Sequence, residues 1–128
     1  MIKEKEQLRI SPLGHTWILD FDGTLVEHNG YKTEKDKFLP GAKEFLNSIP
    51  KDDYILILTA REAEAKEKTE MFLKENGIRY NKIIFKIPMG ERILINDDKP
   101  SGLRCAYAIA PTRNQGLENI EIVIDERL

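Results

Sequence analysis

The feature that most constrains this chain is a short apolar run that ends in two carboxylates. Trp17, Ile18 and Leu19 precede Asp20 and Asp22, and a Gly-Thr pair follows directly. An apolar run that ends at a glycine turn is typical of a buried strand opening into a loop. In open α/β sheets, ligands bind beyond the carboxyl ends of the strands. The pattern therefore predicts a ligand site at Asp20 and Asp22, and two carboxylates suit a hard cation such as Mg²⁺.

Predicted strands and helices alternate along the chain. The predicted strands are Thr16–Leu19, Tyr54–Thr59, Ile83–Phe85, Arg92–Asn96 and Leu103–Ala110, with Ile120–Ile124 as a sixth or an edge strand, and the predicted helices are Pro40–Ile49 and Arg61–Asn76. This alternation is typical of an α/β fold in which helices flank a mainly parallel sheet. The length of 128 residues favours one domain, residues 1–128.

Two further segments have weaker signals. Residues 1–13 are charged and end in Ser-Pro-Leu-Gly, which predicts a loosely ordered lead-in or a short helix. The segment Leu25–Phe38 is mostly polar and contains an Asn-Gly turn pair, so we expect a small flap or hairpin over the end of the first strand. His15 and His28 lack the spacing of metal ligands, and we interpret both as structural or surface residues.

Composition narrows the class of partner. The 22 acidic and 20 basic side chains leave a net charge of −2, which favours neither nucleic acid nor an anionic membrane as a partner. No apolar run approaches the roughly 20 residues needed to cross a bilayer, and the first residues lack the apolar core of a signal peptide. We therefore expect a cytoplasmic protein. The single cysteine, Cys105, allows no internal disulfide or cysteine cluster, and its apolar surroundings predict a buried, inert thiol.

Two other predicted strands also end in polar residues. Thr59 ends the second strand, and Asp97 and Asp98 follow the fourth. Each signal alone has an ordinary explanation, since a threonine often caps a helix and paired aspartates often make a turn. Because parallel strands end at the same edge of a sheet, we expect these side chains to lie near Asp20 and Asp22.

The segment DFDGTLV resembles motif I of the haloacid dehalogenase (HAD) superfamily, whose usual form is DxDGT with apolar flanks. With Thr59 and the Asp97–Asp98 pair, the chain is similar to motifs I, II and IV of that superfamily in the correct order. The stretch RILINDDKP followed by AIAPTRNQG also resembles small bacterial members that keep an LIND-x-KP signature. The resemblance implies a three-layer Rossmann-like sheet with the Asp20 strand at its centre.

The resemblance further implies a phosphatase that forms an aspartyl-phosphate. In that reading, Asp20 is the nucleophile and Asp22 the general acid and base. Mg²⁺ is held by Asp20, by the backbone carbonyl of Asp22 and by Asp97 or Asp98, and offsets the charge of the phosphate. Which aspartate of the pair binds directly stays open, with Asp97 preferred and Asp98 in the first or second shell.

The phosphoryl oxygens are expected to bind near the start of the second helix. The hydroxyl of Thr59 and the amides of Ala60 and Arg61 are the candidates. The side chain of Arg61 stands next to several glutamates, so we interpret it as solvated rather than bound to substrate.

HAD enzymes also place a basic residue before motif IV. The candidates here are Lys82, Lys86 and Arg92. Lys86 follows the third predicted strand and so points towards the expected edge, which makes it our choice. Arg92 opens the fourth strand and lies on the opposite side unless the preceding loop folds over.

The chain has no room for a cap domain. Only 36 residues separate Asp22 from Thr59, enough for a flap and one helix. An open site needs another means of excluding water, so we expect a homo-oligomer. The leading hypothesis is a Mg²⁺-dependent phosphomonoester hydrolase acting on a small phosphorylated metabolite such as a sugar phosphate. The alternatives are a phosphatase for a macromolecular substrate and a catalytically weak domain that binds a ligand or a partner.

Overall fold

The computed structural model describes residues 5–32 and 35–128. These residues form an α/β structure with parallel strands and two α-helices. The strands are β1 (Glu6–Ile10), β2 (Thr16–Asp20), β3 (Tyr54–Leu58), β4 (Lys82–Ile84) and β5 (Ile120–Ile124), and the helices are α1 (Ala42–Ser48) and α2 (Lys66–Glu75). No helix in the described residues is long and apolar enough to cross a membrane.

The larger sheet has the order β2-β3-β4, with all strands parallel. Asp20 is the register partner of Leu58, so β2 and β3 end at the same level. This pairing places the residues that follow the two strands at one edge of the sheet. The expected convergence of the Asp20 loop with Thr59 therefore has a direct structural basis.

The prediction that β2 lies at the centre of the sheet is wrong. Its neighbour is β3 alone among the described strands, because neither Arg92–Asn96 nor Leu103–Ala110 forms a strand. The side chains of Ile93 and Ile95 are 84% and 92% exposed. An apolar run becomes a strand only when its backbone pairs with another strand, and a local pattern does not reveal that partner. Cys105, in the same region, is partly exposed rather than buried.

The N-terminal prediction is also wrong in the residues that the structure describes. Glu6–Ile10 is a strand that pairs in parallel with Ile120–Ile124, and Leu8 is opposite Ile122. The two form a separate two-stranded sheet, so Ile120–Ile124 is a strand as predicted but not part of the larger sheet. The partner lies more than 100 positions away in the chain, and the local sequence carries no sign of it. Residues 1–4 lie outside the described residues.

Both predicted helices form but are shorter than expected. The second begins at Lys66, after a short 3₁₀ turn over Ala63–Ala65, rather than at Arg61. It ends before Gly77, whose φ of 65° lies in the left-handed region that favours glycine. The residues between Leu58 and the 3₁₀ turn therefore form a connection at the edge of the sheet, and Arg61 lies in that connection.

The core surrounds the central strand β3. Ile55 and Ile57 of this strand are completely buried, as are Phe21, Leu25 and Leu73. Replacing Ile57 with alanine is expected to lower the free energy of unfolding by about 2–5 kcal/mol, because it removes methylene groups from a closed core. Urea denaturation of both proteins measures this loss. Met71→Ala, at a side chain that is 54% exposed, is the control and should change stability by less than about 0.5 kcal/mol.

Gly116 is required where the loop before β5 packs on the start of α1. Its φ is 81°, and a Cβ atom there would overlap the carbonyl oxygen of Pro40. Gly116→Ala should therefore destabilise the protein by about 2–4 kcal/mol through strain and steric overlap. Gly102→Ala is a matched control, because Gly102 also has a positive φ but open space around it. Equal losses of stability in the two variants, measured by urea denaturation, would show that the overlap with Pro40 has no effect.

Candidate functional site

A tight loop follows β2 at the edge of the sheet. The amide of Phe21 donates to the carbonyl of Leu58 at 3.0 Å, and the amide of Leu25 donates to the carbonyl of Phe21 at 2.9 Å. Gly23 has a φ of 88°, and its amide donates to the carbonyl of Val26 at 2.7 Å. The loop therefore turns back at once and keeps Asp20 and Asp22 beside the end of β3.

The segment after this loop forms the expected flap in the residues that the structure describes. Val26 and Phe38 form an antiparallel bridge, and the amide of Leu39 donates to the carbonyl of Leu25 at 2.8 Å. The part between includes a 3₁₀ turn over Gly30–Lys32, while residues 33 and 34 lie outside the described residues.

Asp20 is the more accessible carboxylate of the pair, with a side chain 42% exposed. Thr24 donates its hydroxyl proton to Oδ2 of Asp20 at 3.1 Å, and Nη2 of Arg92 lies 3.4 Å from Oδ1. Partial burial raises the pKa of Asp20 above its ordinary value of 3.8, and the hydrogen bond from Thr24 and the charge of Arg92 offset this only in part. The Asp20 side chain therefore remains partly open to solvent at this edge.

Asp22 is held much more firmly. Its Oδ2 accepts the hydroxyl proton of Thr59 at 2.8 Å. Its Oδ1 accepts Nε–H and Nη2–H of Arg61, at 3.0 and 2.8 Å. The side chain is 13% exposed. One carboxylate of the predicted pair is therefore accessible, while the other is fixed by a threonine and an arginine.

The interpretation of Arg61 as a solvated residue is wrong. Only 3% of this residue is exposed, and its guanidinium also binds both carboxylate oxygens of Asp36, with Nη1–Oδ2 and Nη2–Oδ1 distances of 2.9 and 2.7 Å. Burial by itself lowers the pKa of Arg61, but the hydrogen bonds and charges of Asp36 and Asp22 outweigh this and raise it. The glutamates near Arg61 in sequence misled the prediction, because the residue precedes α2 and faces the flap.

Four partners of Arg61 were not foreseen from the sequence: Asp36, Thr69, Phe21 and Tyr31. Thr69 accepts Nη1–H at 2.8 Å, and the rings of Phe21 and Tyr31 lie 4.7 and 3.9 Å from the guanidinium carbon. Asp36 stands between two lysines, a pattern that usually indicates a solvated surface, and yet the residue is buried. Tertiary contacts alone bring these side chains together.

Thr59 is completely buried, and its hydroxyl also accepts the amide of Arg61 at 3.1 Å. Ala60 lies between these two residues. The three predicted phosphate-binding residues therefore form one connection, at the sheet edge where Asp20 and Asp22 lie. In the described arrangement, the threonine hydroxyl binds Asp22 rather than standing free.

The predicted basic residues occupy different places. Lys82 begins the three-residue strand β4, at the end opposite to the site edge. Lys86 has a φ of 62°, and its amide donates to the carbonyl of Arg61 at 3.0 Å, which ties its backbone to the connection after β3. Arg92 is the basic side chain that contacts Asp20, because it bends back with Nη1 on the carbonyls of Pro88 and Gly90, at 3.0 and 2.8 Å. The loop before Arg92 thus folds over towards the site, which was the condition for Arg92 to serve as the basic residue.

The residues expected to hold Mg²⁺ are Asp20, Asp22, Asp97 and Asp98. Asp20 and Asp22 lie together, and their oxygen atoms are of the type that Mg²⁺ prefers. Asp97 and Asp98 are exposed, and no group of three or more potential ligands within residues 5–32 and 35–128 is placed to hold a metal ion.

A second polar cluster lies at the opposite end of β2 and β3. Asp53, which is 4% exposed, accepts the indole N–H of Trp17 at 2.9 Å and bonds to Nδ1 of His15 at 2.7 Å. Nε2 of His15 lies 2.9 Å from the carbonyl oxygen of Ser11. Burial raises the pKa of Asp53, but the hydrogen bonds from Trp17 and His15 outweigh it, and the net pKa is below 3.8. His15 therefore stabilises the fold, far from Asp20.

This cluster predicts a stability that depends on pH. The pKa of Asp53 in the folded protein is below its ordinary value of 3.8. Its contribution to the stability of the fold is therefore complete above pH 3.8 and is lost as the pH falls through the folded pKa. Asp53→Asn should cost about 1–3 kcal/mol at pH 7, since Trp17 and His15 lose a charged acceptor. Urea denaturation at several pH values should show this deficit shrinking in acid. The exposed neighbour Asp52, changed to Asn, is the control, and an equal effect there would contradict the role of the cluster.

The resemblance to HAD enzymes rests on the motif residues of the sequence alone. Comparison of the chain with protein-family models, with curated proteins and with solved structures found no match.

Proposed function

We propose that this protein is a Mg²⁺-dependent phosphomonoester hydrolase of the HAD type that works through an aspartyl-phosphate. The observation that carries the proposal is the pairing of Asp20 and Asp22 beside Thr59 at the end of two parallel strands. One carboxylate is accessible and the other is fixed, which suits a nucleophile and a proton-transfer group respectively.

The proposed hydrolysis has two steps, formation of the aspartyl-phosphate and its reaction with water. An oxygen of Asp20 attacks phosphorus, the ester bond to the leaving oxygen breaks, and Asp22, which enters this step protonated, gives its proton to that oxygen. Water then attacks the acyl phosphate, Asp22 takes a proton from the water, and inorganic phosphate leaves while Asp20 is restored. Thr24 and Arg92 orient Asp20 for the attack, and Thr59 and Arg61 hold Asp22 on the side where the leaving group departs.

Mg²⁺ is the proposed cofactor, and when bound it neutralises negative charge between the phosphate and Asp20. Its proposed ligands are Asp20, the backbone carbonyl of Asp22, and either Asp97 or Asp98. The aspartate of this last pair that binds must approach Asp20. The proposed substrate is a small phosphorylated metabolite, such as a sugar phosphate, in the cytoplasm. The flap is proposed to cover part of the site, and a homo-oligomer is proposed to exclude water from the rest.

The test is a hydrolysis screen of sugar phosphates, nucleotides and phosphopeptides. Each substrate is assayed with Mg²⁺ and with a chelator, and Asp20→Asn serves as the inactive control. Release of phosphate that needs both Mg²⁺ and Asp20 supports the proposal, and the preferred substrate distinguishes a metabolite from a macromolecule. Turnover equal in wild type and Asp20→Asn excludes the aspartyl-phosphate route. Mass measurement in solution tests the oligomer.

A binding domain without significant turnover is the second candidate function. The observation that favours it is the basic residue at Asp20, since Arg92 and not the predicted Lys86 contacts that carboxylate, at 3.4 Å. Such a domain should bind inorganic phosphate or Mg²⁺ in calorimetry while releasing no phosphate from any substrate in the screen. Measurable turnover that Asp20→Asn abolishes rejects this candidate.

A further inference from the structure

All five N–H groups of the Arg61 guanidinium have partners within the protein. Nε–H donates to Asp22, Nη1 donates to Asp36 and Thr69, and Nη2 donates to Asp36 and Asp22. The guanidinium has only these five donors, so none is left for a phosphate oxygen. The Arg61 side chain therefore has no free donor for a phosphate, whereas the role predicted for Arg61 was that of its backbone amide, which donates to the hydroxyl of Thr59.

The two carboxylates occupy different sides of the same cation. Asp36 receives two parallel hydrogen bonds from the fork of the guanidinium, and its side chain is 1% exposed. Asp22 accepts hydrogen bonds from the other side of the guanidinium, through Nε–H and Nη2–H. A paired fork of this kind fixes direction as well as charge, because both N–H···O bonds must stay parallel.

Two aromatic rings also contact the guanidinium. Phe21, which separates Asp20 from Asp22 in the chain, lies 4.7 Å from its carbon, and Tyr31 of the flap lies 3.9 Å away. Rings at these distances attract the cation. Asp36 also belongs to the flap segment, so two flap residues contact the group that holds Asp22.

We propose that Asp36 and Arg61 are positioning residues that fix the orientation of the Asp22 carboxylate, and that the flap acts on the site through them. The proposal rests on the proposed phosphatase function. Neither residue touches the substrate. The flap segment is thereby connected to proton transfer rather than to substrate recognition.

The kinetic test is Asp36→Asn. The amide keeps the shape but replaces one acceptor oxygen with an NH₂ group that faces an N–H of Arg61, so the fork is broken. We expect kcat to fall at least about tenfold with KM changed less than twofold, because proton transfer is impaired and binding is not. Lys37→Gln, an exposed flap neighbour, is the charge control and should leave both constants unchanged. An unchanged kcat in folded Asp36→Asn overturns the proposal.

Two further measurements keep the inference testable if Asp36→Asn does not fold or if turnover is absent. Tyr31→Leu, at a partly exposed flap position, should lower kcat in the same direction, and an unchanged kcat counts against the proposal. Inorganic phosphate can also be titrated into wild type while ¹H–¹⁵N spectra are recorded. The Arg61 side-chain N–H resonances should stay in place while backbone amides of the Asp20 loop shift.

The outcomes separate the two proposals. Absence of phosphatase activity in wild type overturns the proposed function, whatever the spectra show. Activity that Asp20→Asn abolishes but Asp36→Asn leaves intact overturns only the positioning role. Phosphate-dependent shifts of the Arg61 Nη resonances would instead make Arg61 a direct phosphate ligand and overturn the inference by themselves.

Discussion

Asp20→Asn is expected to lower kcat by about 10³-fold or more, because the amide cannot attack phosphorus to form an acyl phosphate. The variant keeps the shape of the side chain and can still accept a hydrogen bond from Thr24. Initial rates with Mg²⁺ on the best substrate of the screen measure the loss. Mass spectrometry of acid-quenched protein should detect a phosphorylated Asp20 peptide in wild type and not in the variant.

The same substitution should not weaken the fold. Burial raises the pKa of Asp20, so the ionised carboxylate is less favourable in the folded protein than in the unfolded chain. A group whose pKa is raised in the folded protein contributes most to stability at a pH below its unfolded pKa. It loses that contribution as the pH rises through its folded pKa. At neutral pH, the neutral amide should therefore be as stable as wild type or more so. A large loss of stability would mean that low activity reflects unfolding rather than loss of the nucleophile.

Arg61→Met has the largest expected effect on stability, a loss of about 3–5 kcal/mol. Methionine fills much of the space between Phe21 and Tyr31 but leaves the carboxylates of Asp22 and Asp36 without a cation. An uncompensated buried charge is costly, whereas a buried ion pair replaced as a whole often is not. Urea denaturation at pH 7 measures the loss.

A double variant tests whether charge is the reason for that loss. Arg61→Met combined with Asp36→Leu removes one of the two uncompensated carboxylates and should recover at least half of the lost stability. Arg104→Met, at an exposed arginine, is the control for the loss of a positive charge and should have little effect. A double variant less stable than Arg61→Met alone would indicate that packing, not charge, is what Arg61 contributes.

Several features followed from the sequence alone because their causes are local. The apolar runs of β2, β3 and β4 and the periodic spacing of α1 predicted their type and approximate position. The parallel arrangement followed from the alternation of strands and helices. Asp20, Asp22 and Thr59 were expected at one edge for the same reason, since they follow two neighbouring parallel strands, and the structure brings them together.

The tertiary structure decided everything that depends on a distant partner. Glu6–Ile10 is a strand only because Ile120–Ile124 pairs with it, and the apolar run Arg92–Asn96 is not a strand because no described strand pairs with it. The sequence predicted that Arg61 is a solvated helix residue, whereas in the structure the flap residues Asp36 and Tyr31 contact it. Periodicity records which face of an element is apolar, but pairing and ion pairs join residues far apart in the chain, and their energy appears only when the chain has folded.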